Sequence, residues 1–104
     1  EFQVVKRTPT RGQRLLDAVI IPDGPNEIRH WSEVDISGKD VIVVQTKASR
    51  LGMYLMGQTL FSAELIKALS PRSVRSVALC SRDDDVLRPL LEAYDGCEVK
   101  VIQV

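Results

Sequence analysis

The sequence predicts an α/β fold built on a mixed sheet, and three observations carry that expectation. Short β-rich runs crowd the first half of the chain, helix-forming and strand-forming stretches alternate in the second, and the breaks fall at clusters of Gly, Pro, Asp and Asn. The expected order is β-β-(β)-α-β-α-β. Strands without intervening helices come first and helices then alternate with strands, which favours a mixed-sheet α/β sandwich over a purely parallel doubly wound sheet. With 104 residues the chain supplies a single domain that should bury roughly two-thirds of the surface its unfolded form exposes.

Each element has its own signal. Phe2, Val4 and Val5 suggest a short entry strand, with Pro9 and Gly12 punctuating its exit. Arg14 to Ile21, RLLDAVII, is a β-rich run stopped by the turn cluster Pro22 to Asn26. From His30 to Ile36 the alternation is weak, so either a short edge strand or a loop fits. Val41 to Ala48, VIVVQTKA, is the clearest strand, launched by the turn Ser37-Gly38-Lys39-Asp40. Leu51 to Leu69 is rich in Leu, Met and Ala and ends at Ser70-Pro71, so it reads as a helix despite Gly52 and Gly57. Ser73 to Cys80 reads as a strand. Asp84 to Tyr94 reads as a helix with Asp83 or Asp84 as N-cap and Gly96 as its stop, and Glu98 to Val104 as a final strand.

Composition narrows the function classes. With 44% hydrophobic and 27% charged residues the chain is an ordinary globular one, and no apolar run approaches the roughly 20 residues of a membrane-spanning helix. Cys80 and Cys97 lack the spacing of zinc or thioredoxin-like sites, so buried free thiols in a reducing cytoplasm are expected. No secretory signal pattern is present, and the chain opens with Glu1 rather than Met, so elements upstream could be missing. The formal net charge is zero, yet residues 1–14 carry +3, residues 47–82 carry +5 and residues 83–98 carry −5. The two basic tracts would offer a polyanion surface if they meet in space.

The chemistry concentrates on two strands. Period-2 geometry sends Val41, Val43, Gln45 and Lys47 to one face of VIVVQTKA, with Gln45 and Lys47 about 7 Å apart. Asp17 stands in the middle of RLLDAVII on the face of Leu15, Val19 and Ile21, where an unpaired charge would be costly. If the two strands are neighbours, a divalent cation satisfies both. Asp17, the Gln45 side-chain oxygen and a backbone carbonyl such as that of Thr46 would bind Mg²⁺ or Mn²⁺, and Lys47 would face an adjacent anion. Tyr54, Gln58 and Ser62 recur at i, i+4 and i+8 as an uncharged polar stripe that could face this site, and Arg50 could contact a phosphate.

Asp17 followed by Gln45-Thr46-Lys47 at the end of the next long strand, then a helix beginning near Leu51, resembles the PD-(D/E)xK nuclease superfamily, the restriction-endonuclease-like fold. The similarity covers roughly residues 14–80. The resemblance implies a Mg²⁺-dependent nuclease, an endonuclease or an exonuclease, acting on nucleic acid and most naturally on DNA. It makes Asp17, Gln45 and Lys47 the catalytic set, Asp17, Gln45 and Thr46 the metal ligands, and Arg50, Gln58 and Tyr54 the nucleic-acid contacts. Gln45 stands where Glu is commoner, a form that resembles the Mrr-type restriction enzymes. The chain is too short before Asp17 for the family's N-terminal helix, and Asp23 of the Pro22-Asp23 pair is a rival acid.

Simpler readings stand beside these. Asp17 could pair with Arg14 or cap a loop, and Gln45 and Lys47 could end a strand emerging into water. His30 and Trp31 read as structural or interface residues. Asp83, Asp84 and Asp85 point in different directions and suit a helix first turn better than a metal. Gly38-Lys39-Asp40 precedes a strand and is no phosphate loop. Two rival functions follow: a non-catalytic interaction or homo-oligomerisation module, such as a homodimer, suggested by the apolar residues Met53, Leu55, Met56, Leu60 and Phe61, and a small nucleotide-type binder.

Overall fold

The computed structural model describes residues 2–24 and 34–102. Its elements are β1 (Phe2–Val5), β2 (Arg14–Leu16), β3 (Ala18–Ile20), β4 (Asp40–Arg50), α1 (Met53–Ile66), β5 (Ser73–Arg82), α2 (Leu87–Glu92) and β6 (Cys97–Val101), with a 3-10 turn Lys67–Leu69 after α1. A four-stranded sheet has the order β3-β4-β5-β6, and β1 and β2 form a separate antiparallel pair. β3 runs antiparallel to β4, while β4, β5 and β6 are parallel. The expected α/β class with a mixed sheet is what the chain adopts.

Both crossovers step in the same direction across the sheet, so right-handed connections put α1 and α2 on one face. That face holds two apolar clusters. Leu51, Leu55, Ala78, Cys80, Leu91, Cys97 and Val99 form one. Phe2, Leu16, Ile36, Val41, Val43 and Ile66 form the other. α1 spans both, with Leu55 in the first and Ile66 in the second. Among the described residues no helix packs on the opposite face, where Ile42 and Val44 stay half-buried and Ile20 is 48% exposed.

Several expectations need correction. The run Arg14 to Ile21 is not one straight strand: it bends at Asp17, pairs with β1 before the bend and with β4 after it. The bend changes which side chains point inward, so Leu16 is buried and Leu15 exposed, and Asp17 lies at the surface rather than on an apolar face. Leu51 and Gly52 precede α1, which starts two residues later than expected, at Met53, because Gly52 is still extended. α2 is shorter than Asp84 to Tyr94: Asp84 Oδ1 accepts the amides of Val86 and Leu87, and the regular helix runs only from Leu87 to Glu92. Asp84 therefore caps, as expected, and Gly96 at φ +81° ends the segment. Val34, Asp35 and Ile36 form no strand. His30 to Glu33, with Trp31, lie outside the described residues.

Candidate functional site

The site is the corner where β4 outruns its neighbour. Register pairs Ala18 with Val44, Val19 with Val43 and Ile20 with Ile42, and the ladder stops where the other chain bends at Asp17. Side chains take over from the backbone there. The Asp17 carboxylate accepts the Thr46 amide at 2.8 Å and the Thr46 hydroxyl at 3.3 Å, and the Gln45 side-chain oxygen accepts the Asp17 amide at 3.4 Å. Each residue thus satisfies a main-chain donor of the other strand, which holds the bend open.

Gln45 continues the inward face of Val41 and Val43 and is only 2% exposed. A primary amide so deep needs partners at both ends. Its Nε2 donates to Ser62 Oγ on α1 at 2.7 Å, and Ser62 is itself buried. Ser76 on β5 donates to the Thr59 carbonyl at 2.7 Å, and Thr59 donates to that of Leu55 at 2.8 Å. Among the described residues the four buried polar ones, Gln45, Thr59, Ser62 and Ser76, all belong to this contact between α1 and the sheet. Among the described residues no buried side-chain polar atom is left without a partner.

Beyond Gln45 the strand emerges. Lys47 is exposed and its Nζ lies 5.7 Å from the centre of the Tyr54 ring, at the first turn of α1. After Lys47 the register with β5 slips: Lys47 pairs with Cys80 and Arg50 with Arg82, so β4 carries one extra residue. Such a bulge kinks the strand and re-aims the side chains beside it. Arg50 is turned to protein, donating to the Asp83 carbonyl at 2.9 Å. Tyr54 is exposed and Gln58 half-buried, so the stripe Tyr54, Gln58, Ser62 descends from solvent into the core beside Gln45.

The structure therefore brings Asp17, Gln45, Thr46, Lys47 and Tyr54 to one end of β4. It does not bring Asp23 there. Antiparallel pairing carries the chain after β3 toward the other end of β4, where Asp23 acts on Arg72. At that end Arg72 and Ser73 both donate to the Asp40 carboxylate, and the Arg72 guanidinium foremost holds it well below the usual carboxylate range. Asp83 is likewise lowered, foremost by its bond to Arg88, with which it forms an ion pair. Cys80 and Cys97 are free, and burial raises both thiols above their ordinary value. Among the described residues no three His, Cys, Asp or Glu side chains converge, and no helix is long and apolar enough to cross a membrane.

Sequence reasoning missed the Ser62 anchor and the bulge. The helical spacing from Gln58 already placed Ser62 on the right stripe, whereas nothing in ALCSR or TKASR signals a slipped register. The chain matches no protein-family model, and no curated protein and no solved structure matches it.

Proposed function

We propose that the chain is a restriction-endonuclease-like domain acting as a Mg²⁺- or Mn²⁺-dependent nuclease on nucleic acid, with DNA as the first substrate to test. The observation that carries this reading is the exchange of bonds at the bend, where the Gln45 side-chain oxygen accepts the Asp17 main-chain amide and the Asp17 carboxylate accepts Thr46, the neighbour of Lys47. The bulge after Lys47 and the helix that follows add support.

The donor set suits a hard cation. A carboxylate has two oxygens and the structure engages one of them with Thr46, while an amide oxygen that accepts one bond keeps a second lone pair. Asp17 and Gln45, with the Thr46 carbonyl, are the residues that would hold Mg²⁺, which needs few protein oxygens. When bound, the ion polarises a phosphodiester oxygen and acidifies a water. Lys47 supplies a positive charge where a pentavalent phosphate gathers negative charge, or assists removal of the attacking water's proton. Tyr54 keeps the ammonium over its ring, and Gln58 offers an amide to a nucleic-acid backbone.

The test is cleavage of plasmid, linear and single-stranded DNA in Mg²⁺ or Mn²⁺. D17A and K47A should each lower the rate about a hundredfold or more, the scale of losing one preorganised charge stabiliser. Cleavage indifferent to both substitutions, or none in the unmodified protein, removes the enzymatic reading. The alternative is a non-catalytic interaction or oligomerisation module of the same fold. It is favoured by the sheet face on which no helix packs among the described residues and by Met53 and Phe61 of α1, which are 77% and 65% exposed. A stable dimer that neither binds Mn²⁺ nor cuts DNA would select it.

A further inference from the structure

We infer that Ser62 is a positioning residue for the proposed cation site, acting through Gln45; the inference rests on the nuclease reading and extends it from the strand end into α1. Gln45 can present either end of its amide to Asp17, and only one end can ligate a cation. The Asp17 amide is a donor, so it selects the oxygen. At 3.4 Å that bond is long and cannot alone hold a flexible side chain. The short bond is at the other end, 2.7 Å from Gln45 Nε2 to Ser62 Oγ, between two side chains 2% and 4% exposed. Ser62 thus anchors the nitrogen inside the core and leaves the oxygen directed at the main-chain amide of Asp17.

The two ends are not interchangeable in their service. A serine hydroxyl both donates and accepts, so Ser62 could equally hold a glutamate at position 45 by donating to it. The anchor is therefore suited to either version of the strand motif, and it is the hydroxyl rather than the bulk of residue 62 that the site uses. Ser62 touches neither cation nor substrate. Its effect is on ligand orientation, the kind of support whose loss weakens metal sites by about 10–100-fold.

The experiment measures Mn²⁺ binding by calorimetry on the full chain, with no reliance on turnover. S62T and S62V are equal in shape and differ only in the hydroxyl, and S62A is the third variant. Expected is an affinity weakened about tenfold or more in S62V and S62A, and closer to the unmodified value in S62T. The Gln45 side-chain amide signals in ¹H–¹⁵N spectra should be protected from exchange in the unmodified protein and in S62T, and lose protection in S62V. Equal Mn²⁺ affinity in S62T and S62V overturns the positioning role and leaves the cation reading standing. No Mn²⁺ binding by the unmodified protein overturns the cation reading and this inference with it. Where thermal melts show that S62T or S62V does not fold, S62A is compared with the unmodified protein, and equal Mn²⁺ affinity with equal protection of the Gln45 amide in those two overturns the positioning role.

Discussion

Gly96 and Gly38 both sit at positive φ, at +81° and +73°, yet they meet different surroundings. A Cβ added at Gly96 would lie 3.0 Å from the Val74 carbonyl oxygen, and one at Gly38 would meet nothing within 4 Å. Left-handed backbone alone costs an L-residue about 1–2 kcal/mol. G38A should lose about 1 kcal/mol in urea denaturation, and G96A about 1 kcal/mol beyond that, because backbone atoms cannot step aside. Equal losses would show that the contact with Val74 is relieved at no cost. Single residues were the most readable level of this chain. The acids at 83 and 84 and the glycine at 96 mark the segment that holds α2 by type, although type does not choose Asp84 over Asp83 as the cap. Leu15 and Leu16 were not readable in the same way: adjacent identical side chains carry no sign of which faces inward, and the bend at Asp17 decided it.

Strands and helices were legible in existence and less so in their ends. β4 was read from its alternation, but alternation says nothing of the partner strand, so the bulge after Lys47 and the split of Arg14 to Ile21 between two sheets lay beyond it. α2 has a role at this scale that its short length conceals. β6 is the last strand of the sheet, and its outward Val99 amide donates to Glu92 at 3.2 Å while the Val99 carbonyl accepts from Arg88 at 3.3 Å. The helix thereby covers an edge that could otherwise pair with another chain. The double variant R88A/E92A should show more concentration-dependent self-association in sedimentation velocity than the unmodified protein. Unchanged sedimentation would mean that the edge is kept apart by other means.

For the whole molecule, acid stability follows from the ion pairs remote from the site. The Asp40 carboxyl is held below its unfolded value by Arg72 and Ser73, and Asp83 by Arg88. A depressed folded pKa contributes stability that is complete above the unfolded value and is lost as pH falls through the folded one. Stability should therefore be flat near neutrality and decline below about pH 4. D40N should flatten part of that decline when unfolding is followed from pH 6 to pH 2, with Asp83 keeping the remainder. An unaltered pH profile would remove Asp40 from the account.

The seam of buried polar groups that joins Gln45 to α1 has a further consequence. A surface loop carrying reactive groups can change freely, but here the strand end is tethered through Gln45 and Ser62 to the middle of the folded interior. Leaving one partner of such a bond unsatisfied costs about 1–3 kcal/mol, a sizeable share of what a domain of this size has to lose. Substitutions that retune the corner would be paid for in folding, so its chemistry and the protein's persistence can only be altered together.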